Sequence, residues 1–401
     1  MVGMVSGAAV ANVAITGSFT IPYMKKVGYT PEQAGAIEST ASTGGQLMPP
    51  IMGASAFVMA FFIGVPYAEV MLAGILPALF FYYAVGMGVQ LIAVSKGIKA
   101  STEKADLKII ARRLPLFVIP MGIIVVLLLL RYSPMYAGFW AIIAAVGLSY
   151  IGKETRSSLR HLITVTARGA LIGARIGASL AAVGLMAQTL ISTGLGNKIA
   201  GLVQTLSGGS LIIALIITMF ASILLGCGCP TTAAYSLVAI VVVPALTRMG
   251  VLNFSAHFFA FYFAIISTLT PPVALAALAG AGIAGGSYFK TAVTAFKLAI
   301  AGFIIPYLVV YSPILVLHVE KSWSAAIGSL VCITLGLAVF TAVLYNCGLT
   351  ILRLRERLIG FVTLLLLIVY YVARQIPQIG AEEMYLFSGI VGFTTLLSIQ
   401  I

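Results

Sequence analysis

Ser42-Thr43-Gly44-Gly45-Gln46-Leu47-Met48-Pro49-Pro50 interrupts one apolar stretch, and Ser267-Thr268-Leu269-Thr270-Pro271-Pro272 interrupts another. The two proline pairs stand at one offset in numbering (271 − 49 = 222), and the same offset joins Pro22 to Pro244, Gly28 to Gly250 and Gly64 to Gly286. A register held through so many glycines and prolines marks the stretches Ile21 to Gly64 and Val243 to Gly286 as two copies of one unit. Each copy reads as an apolar segment, a short turn, a second apolar segment broken by Ser/Thr/Gly and Pro-Pro, and a glycine at the far end. Proline lacks an amide hydrogen and clashes with the preceding turn, so the break is physically demanded. Paired hydrophobic segments interrupted in this way point to the midplane binding site of a secondary transporter.

Composition bounds the class. The chain has 401 residues, of which 61% are hydrophobic and 8% charged, and its mean hydropathy is +1.12. Apolar runs of roughly 17 to 25 residues each cross a ~30 Å hydrocarbon layer, so the expected fold is an all-α polytopic membrane protein. The net charge of +13 sits mainly in short connections between apolar runs, the positive-inside pattern rather than a nucleic-acid surface. Cys227, Cys229, Cys332 and Cys347 form no disulfide-rich framework. The N-terminus has no charged region followed by an apolar core, so it is not a signal peptide. The second copy has a further apolar stretch upstream, from about Leu162 to Leu225; shifting it back by the same offset places its counterpart before Met1. At least two membrane segments are therefore expected to precede this chain.

Residues 1–66 read as the tip and returning arm of a re-entrant hairpin followed by a discontinuous helix, in which Thr30 caps and Pro31 takes the first helical position. Residues 67–168 read as scaffold: spans from Tyr67 to Val94, Leu114 to Leu130 and Met135 to Ile151. The loop carrying Lys96, Lys99, Lys104, Lys108, Arg112 and Arg113 is placed in the cytoplasm. Residues 169–286 hold a helix from Gly169 to Thr193, a second hairpin from Leu211 to Pro244 with its tip at Gly226-Cys-Gly-Cys-Pro-Thr-Thr232, and a discontinuous helix from Phe254 to Ala284. Residues 287–401 supply spans at Lys290 to Ser312, Trp323 to Tyr345, Arg357 to Ala373 and Met384 to Ile401. Counting crossings puts the two copies in opposite orientations, an inverted repeat with two re-entrant hairpins and two discontinuous helices.

Irregular backbone at membrane depth leaves amide and carbonyl groups without partners, each costing several kcal/mol unless something polar repairs it. Two tips and two breaks make four such places. A sodium ion takes half-helix carbonyls and hydroxyl oxygens, while half-helix N-termini favour an anion. The candidate ion ligands are Ser6, Gly7, Asn12, Thr43 and Gly44 in one copy and Gly226, Thr231, Thr268 and Thr270 in the other. Ser6, Asn12, Gly45, Cys229, Thr231 and Thr232 are the candidate substrate contacts. Cys227 and Cys229 are read as small packing residues rather than a soft-metal site, and no resident metal or organic cofactor is expected. Glu38, a carboxylate inside a span, is assigned to a structural polar network. His161, His257 and His318 fall near segment ends and are read as solvated. The spans hold no Ser/His or Asp/Asp constellation and the chain no P-loop string, so an enzyme is not expected.

Gly3-Met-Val-Ser-Gly-Ala-Ala-Val-Ala-Asn12, running on through Gly17-Ser-Phe-Thr-Ile-Pro22-Tyr-Met-Lys-Lys-Val-Gly28-Tyr, resembles the first hairpin of the large membrane subunit of tripartite ATP-independent periplasmic (TRAP) transporters. Ser267-Thr-Leu-Thr-Pro271-Pro272, followed by Ala279-Gly-Ala-Gly-Ile-Ala-Gly-Gly286, resembles the motif after that family's second hairpin. The wording is closest to the TAXI branch, whose permeases are often fused to the small subunit, and the resemblance covers about Met1 to Pro313. It implies a prokaryotic inner-membrane permease of elevator-type architecture that takes up carboxylate-type organic anions with sodium as coupling ion. It also implies a periplasmic solute-binding protein and a small membrane subunit, or its fused equivalent, as partners. Two alternatives remain on the sequence: a binding-protein-independent sodium/dicarboxylate-type transporter, and a non-transporting assembly subunit.

Overall fold

The computed structural model describes residues 2–98, 110–111, 113–151, 156, 158–316, 323–348 and 352–373. Every regular element among them is helical. The first unit comprises α1 (Val2–Ser6), α2 (Ala9–Lys26), α3 (Pro31–Gly44) and α4 (Ala54–Ile63). Then come α5 (Tyr67–Ala73), α6 (Ile75–Lys96), α7 (Pro115–Leu129), α8 (Pro134–Ser149), α9 (Leu159–Ser192) and α10 (Leu195–Leu206). The second unit comprises α11 (Leu211–Gly226), α12 (Thr231–Arg248), α13 (Asn253–Ile266) and α14 (Leu275–Ala284). After it follow α15 (Tyr288–Ala299), α16 (Ile304–Tyr311), α17 (Trp323–Tyr345) and α18 (Leu354–Ala373). Among the described residues, five helical stretches are long and apolar enough to cross a membrane: Tyr67–Lys96, Leu159–Met186, Thr231–Arg248, Tyr288–Tyr311 and Ile327–Tyr345.

The offset between the proline pairs extends from the sequence into local structure. It separates both ends of α2 from those of α12 (231 − 9 and 248 − 26), and both ends of α3 from those of α13 (253 − 31 and 266 − 44). Thr30 caps α3 through a capping box with Gln33, and Pro31 occupies the first helical turn, as the sequence predicts. Each broken helix loses its ladder at the Ser/Thr/Gly run. The same amide-to-carbonyl bonds then tighten both segments: Leu47 N–H to Gly44 O and Leu269 N–H to Ile266 O, each at 2.9 Å. A longer bond closes each loop, from Gly53 N–H to Gln46 O at 2.9 Å and from Ala276 N–H to Thr268 O at 3.1 Å.

The packing exchanges halves. α4 lies against α12 and α13, whereas α14 lies against α2 and α3, so the second half-helix of each unit completes the other. Gly35 and Gly280 let α3 and α14 touch backbone to backbone, since a Cβ on Gly35 would stand 2.9 Å from the Gly280 carbonyl oxygen. Ser39 Oγ fastens the crossing by donating to Ala276 O at 2.8 Å. Apolar side chains gain little by leaving lipid tails for protein, so close contact between small residues and hydrogen bonds across helices hold such an interface. α13 lies at the centre, with every residue from Phe258 to Ile266 buried.

Two expected spans are interrupted. The Tyr67 to Val94 segment divides at the buried Gly74, where Met52 of the first break packs closely. Pro77 in the next turn lacks the donor a continuous helix would need. The Lys290 to Ser312 segment passes through a 3₁₀ turn at Ile300–Phe303, just before Pro306, whose ring crowds that turn. The helix read as starting at Gly169 begins at Leu159. The Met384 to Ile401 span lies outside the described residues, as do Lys99, Lys104, Lys108 and Arg112 of the basic loop.

Candidate functional site

Each hairpin tip seats on the break of its own unit. Gly7 turns the chain with φ +63°, a left-handed conformation that suits a residue without a Cβ. Gly3, just before it, lies against Gly45: a Cβ on Gly45 would stand 2.7 Å from Gly3 Cα and 2.9 Å from its carbonyl carbon. In the second unit Gly228 takes φ +76°, and a Cβ on Gly226 would come within 2.8 Å of Ser267 Cβ. Glycine at these points is what allows tip and break to meet.

The first junction is lined by polar atoms that lack protein partners. Asn12 Nδ2 donates to Ser42 Oγ at 2.8 Å, but Asn12 Oδ1, Thr43 Oγ1, both amide atoms of Gln46 and Ser55 Oγ are buried without a hydrogen-bond partner. Gln46, Thr43 and Ser55 are fully buried. Leaving a buried polar atom unsatisfied costs about 1–3 kcal/mol, so several together at one junction require an explanation. Gly53 supplies its geometry: a Cβ there would meet Ser55 Oγ at 3.2 Å, Gln46 Oε1 at 3.4 Å and the Gly7 carbonyl oxygen at 3.4 Å. The glycine leaves a cradle walled by three oxygens from tip, break and second half-helix, a donor set that fits a hard monovalent cation.

At the second junction the hydroxyls turn back on their own helix. Ser267 Oγ donates to Ala264 O at 2.8 Å, Thr268 Oγ1 to Ile265 O at 2.8 Å and Thr270 Oγ1 to Ile266 O at 3.0 Å. A hydroxyl that donates in this way keeps its lone pairs, so these oxygens remain acceptors. Thr231 and Thr232 open α12 and are buried, while Cys227 and Cys229 are half-buried. Among the described residues, no side-chain hydrogen bond joins the candidate residues of one junction to those of the other. Gly44 faces the Phe81 ring rather than the cradle, and Ser6 is the last residue of α1. Gln46, Gly53 and Ser55 are absent from the candidates chosen on the sequence; the one available signal was a Gly-x-Ser string shortly beyond the proline pair.

Glu38 lies in a polar network, as the sequence reading has it. Thr16 and Ser42 hydroxyls donate to its Oε1, the latter at 3.1 Å, and Thr20 donates to Oε2 at 2.5 Å. These bonds tie α2 to α3 beside the junction. Glu38→Leu is expected to lower unfolding stability by about 1–3 kcal/mol, because the buried Ser42 hydroxyl loses its acceptor. Glu38→Gln, which keeps an acceptor oxygen, is expected to lose less, and denaturant unfolding in detergent checks the order. His257 corrects the solvated reading: it is 6% exposed and its Nδ1 pairs with Tyr235 Oη at 2.8 Å. Its helix start is covered by Phe62, whose ring stacks on it at 6.3 Å, so nearness to a segment end does not bring water. His161 is exposed, and His318 lies outside the described residues.

A protein of Sinorhizobium fredii described as uncharacterized, y4mL, is 29% identical to this chain over 153 residues; the match takes in 37% of the chain and spans 36% of that relative's length. The family model for the DctM component of tripartite ATP-independent periplasmic transporters matches residues 1–323, which takes in both hairpins, both breaks and the helices up to α16. By that match the chain belongs to the DctM family of TRAP transporter membrane components, a family of transporters and not of enzymes.

Proposed function

We propose that this chain is the membrane permease of a sodium-coupled secondary transporter for carboxylate-type organic anions, of the TAXI branch, in a prokaryotic inner membrane. It receives its solute from a periplasmic binding protein and works with a small membrane subunit or a fused equivalent. The cradle at Gly53 carries this reading: three converging oxygens, two of them on side chains with no other partner, are what a cation at membrane depth requires. Asn12 and Thr43, each with a buried oxygen that has no partner, are included in the ion-binding proposal with Ser6, Gly7, Gly44, Gly226, Thr231, Thr268 and Thr270. The solute contacts are assigned to Ser6, Asn12, Gly45, Cys229, Thr231 and Thr232; Asn12 lies near the start of α2, and Thr231 and Thr232 open α12, helix N-termini of the kind that favour a carboxylate.

The exchanged half-helices suit two units in opposite orientations, an inverted repeat whose breaks meet near the midplane. Because each unit completes the other, residues 1–66 and 169–286 would move as one body in an elevator motion. In that reading residues 67–168 and the C-terminal spans of 287–401 frame it; α7, which packs on α8 and α5, belongs to the frame.

Uptake into proteoliposomes holding the chain with its partner subunit and binding protein tests the function. Flux is expected only with both a sodium gradient and the binding protein. Flux without the binding protein would favour an autonomous sodium/dicarboxylate transporter, and no flux from the intact assembly a non-transporting subunit. Ser6→Ala combined with Thr268→Ala is expected to weaken sodium dependence at least about tenfold, the equivalent of one lost ligand contact of ~1.4 kcal/mol; unchanged sodium dependence would sink the site assignment.

A further inference from the structure

Two tyrosine hydroxyls make the same contact in the two units. Tyr67, the first residue of α5, donates to Pro50 O at 2.9 Å and Ile51 O at 2.5 Å. Tyr288, the first residue of α15, donates to Pro272 O at 2.6 Å and Val273 O at 2.9 Å. The accepting carbonyls keep the offset of the repeat (272 − 50 and 273 − 51), and the next residue in each chain is left-handed: Met52 with φ 58° and Ala274 with φ 36°. Neither tyrosine belongs to the broken helix it holds; each opens the helix that follows.

We propose that Tyr67 and Tyr288 are the positioning residues of the two breaks, each holding two carbonyls with one hydroxyl and so fixing the backbone that leads into the site. A tyrosine has one hydroxyl hydrogen, and here it serves two carbonyls that would otherwise stand open at membrane depth, where an unpaired group is costly. Holding the Pro50 and Ile51 carbonyls fixes the chain a short step before Gly53, where the oxygens of the first break converge. The hydroxyl thereby places the cradle. Tyr67 is 6% exposed and its ring stacks on Phe57 at 4.1 Å, whereas Tyr288 is half-buried. Water can replace the second hydroxyl more readily than the first, so the first is the more demanding position.

The proposal rests on the cation-coupled reading for its consequence and on hydrogen exchange for its geometry. The test uses the full chain in lipid nanodiscs, carrying Tyr67→Phe, Tyr288→Phe or, as a control, Tyr132→Phe at an exposed ring. Tyr67→Phe is expected to speed amide exchange in residues 46–54 and Tyr288→Phe in residues 268–276, each within its own break. Each is expected to raise the sodium concentration giving half-maximal thermal stabilisation by about three- to tenfold, the loss of one hydrogen bond's contribution, with the larger shift in Tyr67→Phe. Unchanged exchange at the breaks, or acceleration spread evenly over the chain, would overturn the proposal. Confined acceleration in a protein whose wild type shows no response to sodium would uphold the clamps and overturn the sodium reading instead.

Discussion

Gly53→Ala is expected to abolish the sodium response while leaving the fold standing. Gly53 has φ −89° and ψ 165°, a conformation open to any L-residue, so the backbone loses nothing by gaining a methyl group. The added carbon would, however, stand 3.2 to 3.4 Å from Ser55 Oγ, Gln46 Oε1 and Gly7 O, filling the space where those oxygens converge. A methyl cannot satisfy them and a cation can no longer enter. Sodium affinity is expected to fall by at least about a hundredfold, or ~2.7 kcal/mol, with unfolding stability in sodium-free buffer changed by no more than about 1 kcal/mol. Uptake and denaturant unfolding on one preparation check both halves; a Gly53→Ala protein with normal sodium dependence would remove the cradle from the account.

Gly45→Ala is expected to act differently, lowering stability and transport together. Here the new carbon would meet Gly3 Cα at 2.7 Å, the Gly3 carbonyl carbon at 2.9 Å and Ser42 O at 3.1 Å. All three are backbone atoms and none can rotate away. Overpacking of this kind costs about 1–3 kcal/mol, and the least anchored partner yields: α1, a helix of barely more than one turn, lifts off the break. Uptake is expected to drop by about ten- to hundredfold, with faster proteolysis before Ala8. The contrast with Gly53→Ala separates space needed for a ligand from a close approach needed for the fold.

Much of the architecture was legible because its punctuation is local. Pro31, Gly44-Gly45 and Pro49-Pro50 must cap, end and break a helix wherever they stand, and a second copy of that punctuation further along must do so again. The exchange of half-helices was not legible, since Gly35 and Gly280 look like any small residues in apolar helices until they are seen face to face. The same limit applies to the site. Asn12 and Thr43 could be chosen because they are polar residues at an evident tip and break. Gln46 and Ser55 acquire meaning only when Gly53 brings their oxygens to one point, and nothing in the sequence singles out Tyr67 and Tyr288, whose hydroxyls are found on the chain leaving each proline pair. His257 shows the reverse error: a place near a helix start implied water, yet Phe62 and Tyr235 from other helices cover it.

A ligand that binds only the folded state raises the unfolding temperature in proportion to RT ln(1 + [L]/Kd), so sodium binding can be measured without knowing the solute. The unfolding midpoint of the purified chain should therefore be followed as sodium replaces choline at constant ionic strength, beside Gly53→Ala. The account predicts a midpoint that climbs with sodium in the wild type and stays flat in the variant. A midpoint indifferent to sodium in the wild type, or one that climbs equally in both proteins, would contradict it.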